Sequence, residues 1–166
     1  VEVVPGERTD PAATADAVAF YAALGKVPRV LKKEIQGFVA NRLQRAIMRE
    51  SCYLVQEGVC TVDELDDIVT SSIGLRWAVN GPFSSFHMGG GPKGLESFFQ
   101  HLGKNMAASF KVVAPVELDQ ALQQRIIDQA AASFGRTPIP EMERRRDDTQ
   151  VALLHTLAAQ RAKGGA

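Results

Sequence analysis

Cysteine is nearly missing from this sequence: 166 residues carry only Cys52 and Cys60. Two thiols, with no histidine or further cysteine at ligand spacing beside them, cannot build a disulfide framework or a zinc site. They suit a reducing, cytoplasmic setting. Net charge is missing too, since 19 lysines and arginines balance 19 aspartates and glutamates. No global field therefore draws the chain to nucleic acid or to an anionic membrane. No apolar run approaches the roughly 20 residues that span a bilayer. The opening residues Val1-Glu2-Val3-Val4-Pro5 have no initiator methionine and no signal-peptide pattern, so Val1 is expected to be an internal cut. The chain also lacks a G-x-G-x-x-G turn, a P-loop, zinc spacing and a G-x-S-x-G elbow, so it is not expected to bind a dinucleotide or a metal by itself.

What is present is ordinary globular material, 45% hydrophobic and 23% charged, enough for one packed domain or a domain plus part of another. Val1 to Val4 reads as a buried strand closed by Pro5-Gly6. Asp10-Pro11 is a helix start, and the apolar face of Ala17, Val18, Phe20, Tyr21 and Leu24 runs to a stop at Gly25. Val27 to Leu31 is a second strand, completing a strand–helix–strand unit of about 30 residues. Downstream of Lys32-Lys33 the periodicity turns helical, which places a domain boundary near Gln36-Gly37.

Leu43, Ile47, Leu54 and Val55 predict a long, well-buried helix from Phe38 to Glu57, ended by Gly58. Thr61-Val62-Asp63-Glu64 is a capping box opening the next helix. The glycines of Gly74, Gly81-Pro82 and Gly89-Gly90-Gly91 predict a loop-rich insert over 74–91. A short helix at Leu95 to Leu102, another from Leu118 to Gly135, and a last one from about Glu141 complete the pattern. Glu143 to Asp148 reads as a solvated helix face. The stripe that includes Phe98, Phe99, Phe110 and Phe134 reads mostly as core, with any excess as a partner surface.

Chemistry concentrates in Gly37-Phe38-Val39-Ala40-Asn41-Arg42-Leu43, where an amide sits in the first turns of a helix whose amino end favours negative charge. Asn41 can position a substrate carbonyl or hydroxyl; it can equally be a satisfied polar residue at a helix start. This segment, with Val1-Glu2-Val3-Val4-Pro5 before it and Ala23-Leu24-Gly25-Lys26 between, resembles the end of the cofactor domain and the start of the helical domain in the 3-hydroxyacyl-CoA dehydrogenase family. Glu57-Gly58, the acidic stretch Asp63 to Asp67 and Gly81-Pro82-Phe83 follow in the family's order, so the likeness covers roughly Val1 to Leu102.

The resemblance implies roles. A histidine shortly before the strand that Val1 to Val4 matches takes the substrate hydroxyl proton as hydride passes to NAD; Glu2 matches the glutamate that orients it. Asn41 matches the asparagine that positions substrate. Glu2 and Asn41 are therefore the candidate catalytic residues, although a plain strand-edge carboxylate is the alternative for Glu2. The base and the cofactor loop lie outside this sequence.

Leu75-Arg76-Trp77-Ala78 and His87 look more like the branch containing lambda-crystallin, L-gulonate 3-dehydrogenase and carnitine dehydrogenase than the members acting on acyl-CoA. Arg76 could grip the carboxylate of a free 3-hydroxy acid bidentately, or simply stack on Trp77. His87 is expected to be a hydrogen-bonded loop or helix residue.

The expected fold is mainly α: a helical 6-phosphogluconate-dehydrogenase-like C-terminal domain at 37–166, preceded by a strand–helix–strand remnant of an NAD-binding Rossmann domain at 1–36. The expected function is that part of an NAD-dependent oxidoreductase acting on a 3-hydroxyacyl-CoA or related 3-hydroxy acid, inactive alone and binding no NAD itself. Asn41 and Arg76 bind substrate, no residue binds metal, and the partners are a small-molecule substrate and a second copy in a homodimer. A non-catalytic, crystallin-like interaction module is the competing class.

Overall fold

A computed structural model of the chain describes residues 1–110, 118–134 and 136–164. Two strands, β1 (Glu2–Val3) and β2 (Arg29–Val30), pair in parallel with Glu2 opposite Arg29 and Val3 opposite Val30. The crossover is α1 (Pro11–Ala23). Its start is set locally: Asp10 accepts from the Ala12 amide at 2.8 Å, and proline occupies the first helical position, where no N–H is needed. The expected strand–helix–strand unit is thus present, with half-buried rather than fully buried residues in β1.

Everything after β2 is helical. The order is α2 (Phe38–Gln56), α3 (Val62–Ser71), α4 (Ile73–Val79), α5 (Pro82–Gly89), a 3-10 turn (Gly91–Lys93), α6 (Leu95–Ser109), α7 (Gln120–Phe134) and α8 (Ile139–Gly164). The chain divides into two compact units, Val1–Glu50 and Ser51–Ala166, with the division inside α2. No helix among the described residues is long and apolar enough to cross a membrane.

In the second unit α3 packs on α4 and α7, and α5 packs on α6. Phe86 of α5 lies against Phe98 of α6 with ring centroids 4.8 Å apart, and Phe98 in turn meets Phe99 edge-on at 5.7 Å. Such pairs add about 0.5–1.5 kcal/mol beyond the area they bury. The capping box is formed as expected: the Thr61 amide donates to Glu64 Oε2 at 2.9 Å and the Glu64 amide donates to Thr61 Oγ1 at 3.4 Å.

Three expectations are corrected. Residues 74–91 are not a loop-rich insert but two helices and a 3-10 turn. Gly81-Pro82, read as a break, is a helix start with glycine as the cap and proline first. Gly74 lies inside α4 because a β-carbon there would stand 2.8 Å from the Val69 carbonyl oxygen, so glycine lets α3 and α4 approach closely. Second, α2 is not well buried: of its residues only Cys52 and Val55 are buried. Third, the aromatic stripe is not mostly core. Phe98 is buried, whereas Phe99 is half exposed and Phe110 is 73% exposed; the Phe134 side chain lies outside the described residues. Periodicity reports which face of a helix is apolar, not what covers it.

The last two helices start close to where proline and charge placed them. On α8, Glu143, Arg144, Arg145, Asp147 and Asp148 are exposed, and Arg145 pairs with Glu141 one turn earlier. An exposed pair of this kind contributes only about 0.3–0.5 kcal/mol.

Replacing Thr61 with alanine removes a cap that Glu64 cannot supply alone. The expected loss is about 1 kcal/mol, read as a lower denaturation midpoint in urea with an unchanged slope.

Candidate active site

Helix α2 begins without local help. No acidic residue lies in its first turn, and Ile35-Gln36-Gly37 ahead of it offers no short side chain that normally caps a helix. The chain enters through a turn in which the Phe38 amide donates to the Ile35 carbonyl at 3.0 Å. Gly37 takes φ +81° there, as glycine does at no steric cost. Phe38 follows at φ +49°, the sole non-glycine residue at positive φ among those described. A bulky side chain in that region costs on the order of 1–3 kcal/mol and persists only where the surroundings hold it.

The hold comes from β1. Glu2 reaches the amino end of α2, where its Oε1 accepts from the Val39 amide at 2.8 Å. The Ala40 amide lies 3.4 Å from both carboxylate oxygens. A carboxylate placed on the unpaired amides of a helix start gains about 0.3–1 kcal/mol, and up to about 2 kcal/mol when partly shielded. That is the same order as the strain beside it. Glu2 is half-buried, consistent with the upper part of the range.

Asn41 follows directly, one residue beyond the second amide that Glu2 contacts. It is exposed, and among the described residues its side-chain amide makes no hydrogen bond. It is therefore not the internally satisfied polar residue that the sequence left open. Its two donors and its acceptor remain available to a ligand. Glu2 and the first turn that carries Asn41 are brought together within the first unit.

Arg76 belongs to the second unit, on α4 rather than in a loop. It is exposed, and among the described residues its guanidinium makes no ion pair, hydrogen bond or ring contact, Trp77 included. The packing alternative for Arg76 has no contact to support it. His87 lies on α5 and accepts from the Leu95 amide through Nδ1 at 3.3 Å, which joins α5 to the start of α6. It is a hydrogen-bonded helix residue, as expected.

The sequence alone missed that Glu2 serves as the cap of α2. The signal was a helix start lacking any local cap, which obliges a distant group to satisfy its amides. Arg125 and Gln129 were missed in the same way. Arg125 Nη1 donates to the Gln56 carbonyl at 3.0 Å at the far end of α2, and Gln129 Oε1 accepts from the Val62 amide at 2.9 Å.

Nothing in these units fits a dinucleotide. The helix that follows β1 is the one a pyrophosphate would use, but its amino end is already taken by the carboxylate of Asp10, which repels a second anion. An open cleft near the carboxyl ends of the two strands, about 940 Å³, is lined by Arg8, Lys32 and Lys33 together with Glu7 and Glu34, a mixed lining without a phosphate cradle. Among the described residues no three histidine, cysteine, aspartate or glutamate side chains group to hold a metal ion.

A parallel strand–helix–strand unit leading into a run of helices defines the class: a helical 6-phosphogluconate-dehydrogenase-like C-terminal domain preceded by Rossmann-type secondary structure. Residues 37–125 match the family described as "3-hydroxyacyl-CoA dehydrogenase, C-terminal domain", and the chain belongs to that family. Similar curated proteins are the L-carnitine dehydrogenase of a Pseudomonas species, 38% identical over 165 residues, and that of Streptomyces griseus, 38% identical over 147. These alignments cover 99% and 89% of this chain but 51% and 44% of the relatives, so the chain spans about half the length of the curated relatives it matches. A solved structure of 5-formyl-3-hydroxy-2-methylpyridine 4-carboxylic acid 5-dehydrogenase, titled an NAD+ dependent dismutase, is also similar. Its TM-score is 0.62 at 26% identity, covering 99% of this chain and 52% of that one. The carnitine dehydrogenase branch singled out by Arg76, Trp77 and His87 is thus the one the relatives represent.

Substituting Gly37 with alanine puts a β-carbon on a φ of +81° and within 2.9 Å of the Arg45 guanidinium. Arg45 can swing aside, so the backbone term dominates, and a loss of about 1–2 kcal/mol is expected in thermal or urea unfolding.

Proposed function

We propose that this chain is the substrate-binding half of an NAD-dependent dehydrogenase that oxidises the 3-hydroxy group of a small free hydroxy acid, L-carnitine being the first candidate. A 3-hydroxyacyl-CoA and L-gulonate are the alternatives within the same chemistry. The observation that carries the reading is the Glu2 carboxylate bound to the amino end of α2, with the unpartnered Asn41 amide on the same turn. In this reading residues 1–36 are the end of the cofactor domain and 37–166 the helical domain.

Asn41 orients the reacting carbinol by hydrogen bonding, a contribution of positioning rather than proton transfer. Arg76, with no partner of its own among the described residues, supplies a planar pair of donors for a carboxylate. A free acid presents that carboxylate and a thioester does not. The proton acceptor is assigned to a histidine preceding Val1, and Glu2 to its support. NAD is assigned to a part of the protein outside this chain, because the α1 amino end is closed by Asp10.

The exposed apolar residues favour a homodimer. Phe99 and Phe110 on and beside α6, with Val151 and Leu154 on α8, are more than half exposed. A second copy is the occupant we assign to them, and the two unpaired cysteines suit a cytoplasmic location. The same surface would serve a non-catalytic module; the open Asn41 amide favours the enzyme.

With the intact protein and NAD, reduction of the cofactor is expected with L-carnitine and not with 3-hydroxybutyryl-CoA, while the 166-residue chain alone is expected to be inactive. Activity of the short chain would refute the assignment of cofactor and base. Asn41→Ala should lower kcat/KM on the order of 10²-fold with the fold intact by circular dichroism. Arg76→Ala should raise KM for the free acid by about 10- to 100-fold, and Arg76→Lys should restore little of it, because an ammonium cannot form the bidentate pair.

A further inference from the structure

We infer that Glu2 is a positioning residue for Asn41, acting through the backbone of α2. This rests on the proposed role of Asn41 as the residue that orients substrate. It assigns Glu2 a task separate from supporting a base.

Three observations converge on the first turn of α2. Gly37 and Phe38 both stand at positive φ, so the entry to the helix is held in a conformation that phenylalanine does not choose. No residue near the helix start caps it. The Glu2 carboxylate, from a strand 37 residues earlier, takes the first free amide at 2.8 Å and flanks the second at 3.4 Å. β1 is itself fixed against β2, with the Arg29 amide on the Val1 carbonyl at 2.8 Å and the Leu31 amide on the Val3 carbonyl at 2.9 Å. The strand pair therefore anchors the carboxylate, the carboxylate anchors the Val39 and Ala40 peptides, and the next residue along is Asn41.

The two oxygens are not used alike. Oε1 makes the one short bond, whereas Oε2 has only the 3.4 Å approach to Ala40. A single acceptor thus does most of the clamping, and Oε2 keeps capacity for a further donor. This makes the variants informative. Glu2→Gln keeps a carbonyl oxygen that can accept from Val39 while removing the charge; Glu2→Ala removes both.

The test uses the intact protein, with amide hydrogen exchange and nitrogen–proton NMR as readouts that need no turnover, and L-carnitine with NAD as the kinetic probe. In Glu2→Ala the Val39 and Ala40 amides should exchange about fivefold faster or more, and the Asn41 side-chain amide resonances should shift; in Glu2→Gln the Val39 amide should stay protected and the Asn41 resonances near their original place. In kinetics, Glu2→Ala should raise KM well above Glu2→Gln, and this excess should vanish when both are made in an Asn41→Ala background, because Glu2 then has nothing to position. Unchanged exchange at Val39 in Glu2→Ala would overturn the clamp. Equal KM for the two variants, or an excess that persists without Asn41, would overturn the positioning role. If the intact protein does not oxidise L-carnitine, the functional reading fails by itself, and exchange together with the Asn41 resonances still decides whether Glu2 holds the turn.

Discussion

Every helix leaves unpaired amides at one end and unpaired carbonyls at the other, and the arrangement of this chain follows from how they are satisfied. Where a local side chain suffices, the helix start is a property of a few adjacent residues. Asp10 does this for α1, the Thr61–Glu64 pair for α3, and Asp119 for α7, whose Leu122 amide it accepts at 2.8 Å. Where no local side chain suffices, a distant one is drawn in. Glu2 serves the start of α2, Arg125 its last residue and Gln129 the first residue of α3. The last two tie α7 to the ends of two earlier helices, so α7 is located by polar contacts as well as by its packing on α3.

The same requirement connects structure to chemistry. A carboxylate spent on the α2 amides is part of the support for the turn that holds Asn41, and that turn carries the strained Phe38. Strain next to a polar side chain with no internal partner is the combination expected where backbone placement matters more than stability. A helix end within a packed core would be indifferent to such detail. Here the amide group that faces solvent is the one whose position counts.

The second constraint is area. Cys52, Val55, Phe98 and Leu122 form the buried apolar set among the described residues, while many large apolar side chains stay more than half exposed. Burial supplies about 25 cal/mol for each Å² of apolar surface removed from water, so faces left open are stabilisation not yet realised within the chain. Apolar surface on that scale is typical of chains that complete their cores against further structure. This is why the helices expected to be well buried are instead amphipathic elements with one side bare.

Sequence alone determined the element order, the caps of α1 and α3, the family, and the identity of Asn41 and Arg76 as the residues to watch. These are legible because they depend on neighbours within a few positions, or on a motif such as Gly37 to Leu43 that survives as a string. It misjudged 74–91, since glycine and proline mark helix starts and close contacts as readily as they mark loops, and only the Val69 carbonyl beside Gly74 and the Phe86–Phe98 contact show which. Tertiary structure alone decided that Glu2 caps α2, that Arg76 and Asn41 lack partners of their own among the described residues, and how little of α2 is covered. Each of these depends on what lies across space from a residue, and a periodic pattern carries no information about that distance.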